Sequence, residues 1–276
     1  MSHANTSPGN TPRQPTLFIP HGAGPCFFMD WNPPDTWDGM ARFLSGVADT
    51  LPARPRAILM VSAHWLMPSF SVTAGEQPKL IYDYHGFPSH TYALNYPAPG
   101  APSLATRVRA LLSEAGLDSR EDAERGFDHG MFVPLKLMFP AADVPVVQLS
   151  LRENLDPAAH LAAGRALAPL REEGVLIVGS GMSFHNMRGY GDAHFTAPSE
   201  AFDEWLSGAV SADPEARHAA LCDWADAPHA RECHPPSLEE HLIPLMVAAG
   251  AAGTDPGRKV YSEQVLKTQL SAFRFG

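Results

Sequence analysis

Apolar residues gather in short runs along the chain: "TLFIP" (16–20), "AILMVSAH" (57–64), "SFSVTAG" (69–75), "KLIYD" (79–83), "VPVVQLSL" (144–151) and "VLIVGSG" (175–181). Each run is bounded by Gly or Pro and is rich in β-branched or aliphatic side chains, the pattern of sheet strands. Between them the period becomes helical, over 36–49, 103–116, 131–139, 157–174, 199–211, 214–223 and 237–249. Gly116 and Gly174 stand where helix C-caps belong. Continuous apolar strands alternating with helices predict an α/β fold, with a central mostly parallel or mixed sheet and helices on both faces. No repeat or low-complexity linker interrupts the pattern. Residues 16–276 therefore read as one domain behind a disordered N-terminal tail, residues 1–15.

With 276 residues, 45% of them hydrophobic, the chain can bury a large core. Its formal net charge of −10 supplies no basic field for phosphates or an anionic membrane, which argues against nucleic acid as a partner. No apolar run is long enough to cross a bilayer, and the first residues lack the basic start and apolar stretch of a secretory signal. Cys26, Cys222 and Cys233 form no Cys-x-x-Cys pair, which points away from a disulfide scaffold or zinc ribbon and toward a reducing cytoplasm. Nothing in the composition speaks to oligomeric state, so a homo-oligomer stays open.

The 13 histidines change this picture through their positions. "TLFIP" runs into His21, "AILMVSA" into His64 and "VLIVGSGMSF" into His185. Ligands of open α/β sheets bind at the carboxyl ends of strands, so parallel neighbours would bring these imidazoles together. Glycines in "HGAG" and "GSG" permit close approach of backbone or ligand. His241 follows Ser237 and Glu240, an S-x-x-E capping box that predicts a helix start there. The helix dipole would keep that ring neutral and able to donate a lone pair to a metal. His129, in "DHGMFVPL", lies at the mouth of an apolar helix with Asp128 as its cap or orienting partner. Singly, each histidine reads as an ordinary hydrogen-bonded core or rim residue; only their convergence makes a site. His85 and His90 read as loop residues. "HARECH" (229–234) lacks the spacing of a structural zinc site and reads as a solvated loop. "GSGMS" lacks the flanking pattern of a nucleophile elbow.

Six segments in series, "PHGAG", "VSAHW", "YDYHGFPSHTYALNYPAPG", "DHGMFVPL", "GSGMSFHNM" and "EEHLIPLMVAAGAAG", resemble the DODA-type class III extradiol ring-cleavage dioxygenases of the LigB-like superfamily. The resemblance spans roughly residues 16–275. It implies a mononuclear non-haem metal at the carboxyl edge of the sheet. The implied reaction is extradiol cleavage of a catechol-type substrate with O2, giving a muconic semialdehyde. Motif by motif, His21, His64 and His241 correspond to metal ligands and His129 to an acid/base group. His185 corresponds either to a further ligand or to a second acid/base. Tyr84, Phe87, His90 and Tyr92 are expected to touch the substrate. Asn95 stands where relatives often carry arginine, so recognition of a carboxylate tail does not carry over at that point. The wider superfamily uses two histidines and a carboxylate. An all-histidine set departs from this and suits Zn(II) as well as Fe(II). Oxygen chemistry needs a metal that shares electrons, so Fe(II) is expected for activity and Zn(II) is an alternative occupant. The implied partners are a small catechol and O2. Two rival readings are a Memo-like non-catalytic metal- or partner-binding protein, and a zinc-dependent hydrolase. The hydrolase needs a positioned base such as Glu240, which the capping box would occupy.

Overall fold

In the computed structural model, which describes residues 12–276, the aliphatic runs form the middle of one eight-stranded mixed sheet. In chain order the strands are β1 (Thr16–Pro20), β2 (Ala57–Met67), β3 (Phe70–Thr73), β4 (Ser119–Asp122), β5 (Val146–Arg152), β6 (Val175–Gly181), β7 (Gly257–Val265) and β8 (Thr268–Phe275). Across the sheet the order is β4-β3-β5-β2-β6-β1-β8-β7. The central strands β5, β2, β6 and β1 are mutually parallel, whereas β3 and β8 pair antiparallel on either side of them. Every residue of β1 and β6 is buried, which is why these strands read as unbroken apolar runs.

The helices are α1 (Asp38–Gly46), α2 (Pro102–Glu114), α3 (His129–Met138), α4 (Pro157–Leu167), α5 (Thr196–Ser211), α6 (Pro214–Cys222), α7 (Ala230–Cys233) and α8 (Ile243–Ala252). They cover both faces: α3 packs on β2 beside α1, and α8 packs on β6 and β1 beside α4. Helix α8 is buried along its whole length. A Cβ on Gly164 would fall 2.2 Å from the Val247 carbonyl, and one on Gly250 would fall 2.2 Å from the Leu161 carbonyl, so α4 and α8 touch backbone to backbone. The last carbonyls of α8 are satisfied by arginine. Buried Arg171 donates to Ala251, Ala252, Gln14 and Asp255, and Arg217 donates to the carbonyls of Gly253 and Asp255.

Several sequence expectations shift at this level. Residues 79–83 are not a strand; their ladder pairing is limited to an isolated bridge between Leu80 and Phe127. Strands β4, β7 and β8 carry no apolar run and escape the pattern. Strand β2 continues past His64 to Met67, and helix α3 begins at His129. The capping box does not form: Ser237 has φ 66°, and α8 starts only at Ile243, leaving His241 ahead of the helix. "HARECH" is not a solvated loop, because α7 occupies it and Cys233 and His234 are fully buried. Of the expected tail, residues 1–11 lie outside the described residues. Gln14 is buried, and Arg13 pairs with Glu172 and Asp255.

Candidate active site

Parallel strands β1 and β2 deliver two histidines to one place, and their neighbour β6 seats a third. His21 directly follows β1, and its backbone N–H donates to the Gly181 carbonyl at the end of β6. His64 lies in a bulge: from Val61 to Leu66 strand β2 advances five residues while β5 advances only from Leu149 to Leu151. The extra residues bend the strand and turn His64 toward His21. His241 comes from the turn before α8 and rests on β6, where Met182 N–H donates to its carbonyl at 2.9 Å. Gly181 makes that contact possible, since a Cβ there would sit 2.0 Å from the His241 carbonyl oxygen.

The rings converge. His21 Nε2 and His64 Nε2 are 3.1 Å apart, and the His241 centroid lies 5.1 Å from that of His21 and 4.9 Å from that of His64. His129 packs 3.9 Å from His64, and His185 stacks on His241 at 3.3 Å. Candidate ligand atoms fall within 4.8 Å of one another in two sets, His21, His64 and His129, and His185, Glu240 and His241. Hydrogen bonds behind the rings fix their faces. The Ser180 hydroxyl donates to the Gly130 carbonyl, so its oxygen accepts from His21 Nδ1 at 3.0 Å and leaves the lone pair of His21 on Nε2. Glu240 Oε1 lies 2.9 Å from His241 Nδ1 and turns the other nitrogen of that ring inward.

Burial, reinforced by the neighbouring imidazoles, holds the pKa of His21, His64 and His241 well below the ordinary 6.5. Burial and His129 lower that of His185 to about 4. The rings are therefore neutral donors near pH 7. For His241 this neutrality comes from burial among imidazoles, not from a helix dipole.

Asp128 occupies the N-cap position of α3, but its side chain neither caps the helix nor orients His129. It makes no cap bond and instead lies fully buried, accepting from Ser62, Arg125 and Gln148, with its pKa pushed up by burial and by Asp83. The partner of His129 is Asp83, whose Oδ1 accepts from the His129 backbone N–H at 3.0 Å and from Nδ1 at 2.8 Å. Burial opposes ionisation of Asp83, but the hydrogen bonds and charges of His129 and His64 outweigh it and hold the pKa at about 2.

A cavity of about 270 Å³ opens over this cluster, walled by Ala23, Tyr84, His85, Phe87, Met187 and Tyr190. A larger cleft of about 410 Å³, between Ala48–Pro55 and Met138–Asp143, contains no histidine. Tyr84 and Phe87 face the cavity, with the Tyr84 ring edge-on to His129. Tyr92 stands behind Tyr84, and exposed His90 bonds to the Phe28 carbonyl; neither is among the lining residues. Sequence reading missed Asp83, Ser180, Met187 and Tyr190, and left His85 as a plain loop residue. The "YDY" step beside the "GFP" loop was the one available signal for Asp83.

Neutral imidazoles oriented by hydroxyl and carboxyl groups at the carboxyl edge of a parallel sheet define a metal-dependent α/β enzyme. Residues 15–274 match the family model described as the catalytic LigB subunit of aromatic ring-opening dioxygenase. The chain belongs to this family, which makes it a class III extradiol dioxygenase, an oxidoreductase. It is 41% identical over 243 residues to the 4,5-DOPA dioxygenase extradiol of Beta vulgaris, covering 86% of this chain and 87% of that one. It is 36% identical over 242 residues to the protein of the same name from Escherichia coli K12, covering 87% and 85%. The crystal structure of an uncharacterized protein from Escherichia coli K12 superposes with a TM-score of 0.75 at 31% identity, covering 96% of this chain and 100% of that one.

Proposed function

We propose that this protein opens the ring of a catechol-type substrate beside one hydroxyl with O2, giving a muconic semialdehyde, at a single non-haem metal held by His21, His64 and His241. The observation that carries the reading is the convergence of five imidazoles on one cavity floor. The donor set fits a divalent cation. Its members are neutral, their other nitrogens are hydrogen-bonded at His21 and His241, and His185 Nδ1 is buried without a hydrogen-bond partner among the described residues. Fe(II), when bound, would supply chelation of both catechol oxygens and electron exchange with O2.

The protein's own groups do the rest. His129 and His185 stand beside the ligands and serve as bases for the phenolic proton and as acids for its return. Tyr84 and Phe87 meet at 5.5 Å, edge to face, and offer the aromatic ring an apolar wall. In this reading His90 and Tyr92 support the wall from behind. The cavity floor is buried at His21, His129 and His241, which excludes bulk water from the reacting carbons.

The test is O2 uptake by anaerobically Fe(II)-loaded protein offered a panel of catechols, followed by the yellow absorbance of the semialdehyde. Uptake with ring-cleaved product supports the proposal, and no uptake with any catechol defeats it. Full turnover by zinc-only protein would defeat the assignment of iron.

A further inference from the structure

We propose that Asp83 is the positioning residue of this site, setting both the rotation and the tautomer of the His129 ring through hydrogen bonds rather than through charge. The proposal deepens the reading above, and only its kinetic arm rests on it.

Asp83 closes an extended segment locked against the start of α3. Phe127 N–H donates to the Lys79 carbonyl and Ile81 N–H to the Phe127 carbonyl, each at 2.8 Å. Gly126 lies so close that a Cβ would fall 2.2 Å from the Lys79 carbonyl. From this fixed point one oxygen, Oδ1, takes two donors of the same residue, the backbone N–H at 3.0 Å and Nδ1 at 2.8 Å. Oδ2 stands 3.7 Å from His64 Nδ1, so one carboxylate lies against both rings. A carboxylate only accepts, so His129 carries a hydrogen on Nδ1, and of the two neutral tautomers this contact selects the one with its lone pair on Nε2. Without that acceptor the ring is free to carry its hydrogen on Nε2, the form that cannot receive a proton there. Asp128, though adjacent in sequence, cannot substitute, because Ser62, Arg125 and Gln148 occupy its oxygens.

The doubled acceptor makes an asymmetric prediction. The backbone N–H of His129 can only donate, so an asparagine at position 83 turns its amide oxygen toward it and still accepts from Nδ1. Asp83→Asn should therefore rescue what Asp83→Ala destroys. The experiment reads the His129 tautomer by long-range 1H–15N correlation in metal-free, 15N-histidine-labelled protein, alongside steady-state kinetics after Fe(II) loading. We expect the Nδ1–H form in wild type and Asp83→Asn, and its loss in Asp83→Ala. In Asp83→Ala we expect kcat to fall by about 10²-fold with KM within about threefold, the scale of losing acid/base catalysis. Asp83→Asn should stay within about tenfold of wild type. An unchanged tautomer or an unchanged kcat in Asp83→Ala overturns the proposal, as does an Asp83→Asn enzyme as damaged as Asp83→Ala. If Asp83→Ala does not fold, Asp83→Ser, too short to reach Nδ1, takes its place. A wild-type protein that cleaves no catechol would sink the reading of function, and the tautomer measurement would still decide the role of Asp83.

Discussion

Replacing Gly181 by alanine should damage the site without touching an imidazole. The new Cβ would lie 2.0 Å from the His241 carbonyl oxygen, 3.0 Å from its carbonyl carbon and 3.2 Å from the Phe18 ring. Non-bonded heavy atoms need roughly 3.3–3.5 Å, so the His241 backbone must retreat by about 1.3–1.5 Å. The hydrogen bond from Met182 N–H, 2.9 Å long, does not survive that retreat. Overpacking of this kind costs about 1–3 kcal/mol of stability. A displacement of about 1 Å at a catalytic group costs on the order of 10²-fold in rate. Urea unfolding, chelator-competition titration of the metal and turnover of the Fe(II)-loaded enzyme would measure the three effects. We expect a stable but weakened fold, clearly reduced metal affinity and at least the 10²-fold loss of rate. Gly46→Ala, at the end of α1 with nothing within 4 Å, is the control and should leave the metal untouched. Wild-type metal affinity and turnover in Gly181→Ala would refute the claim that this glycine seats His241.

Ser180→Ala removes the acceptor behind His21 and should lower metal affinity by about 10- to 100-fold, read by the same chelator titration. His64→Ala should abolish metal retention by elemental analysis. His129→Ala should keep its metal while turnover slows by about 10²-fold or more, and metal loss there would make His129 a ligand instead. Acid should destabilise the metal-free protein. His21, His64, His185 and His241 have folded pKa values below 6.5, so under that pH the unfolded chain binds protons that the folded one does not. Stability is therefore complete above about pH 6.5 and falls by about 1.4 kcal/mol per pH unit for each such ring as the pH drops toward the folded values. Equal urea midpoints at pH 7 and pH 5 would contradict this.

The central sheet was legible because β1, β2, β5 and β6 are sealed on both faces and carry their burial in their composition. Strands β7 and β8 were not. Strand β7, an edge strand, carries only scattered apolar residues among charged and polar ones, and the hairpin turns through Leu266 and Lys267 at φ 47° and 66°, with none of the Gly or Asn that usually announces such a turn. The apolar run at 79–83 misled because its residues serve the cavity wall and the Asp83 contact rather than a ladder. For the site, a histidine closing a buried apolar run is a local signal, and His21, His64 and His185 could be read from it even though β2 itself runs on to Met67. The seat of His241 on Gly181 and the clasp of Asp83 on His129 join segments about 60 and 46 residues apart, and no periodicity records such contacts.

Helix α8 is a rod about 15 Å long, with His241 just beyond one tip and the carbonyls gripped by Arg171 and Arg217 at the other. With no residue in solvent and its flank pressed on Gly164, the rod has no slack to absorb a jolt. Lesions at Asp255 or Arg171, far from any reacting atom, should therefore surface as faults in metal capture, and a screen for inactive variants should find hits at both tips.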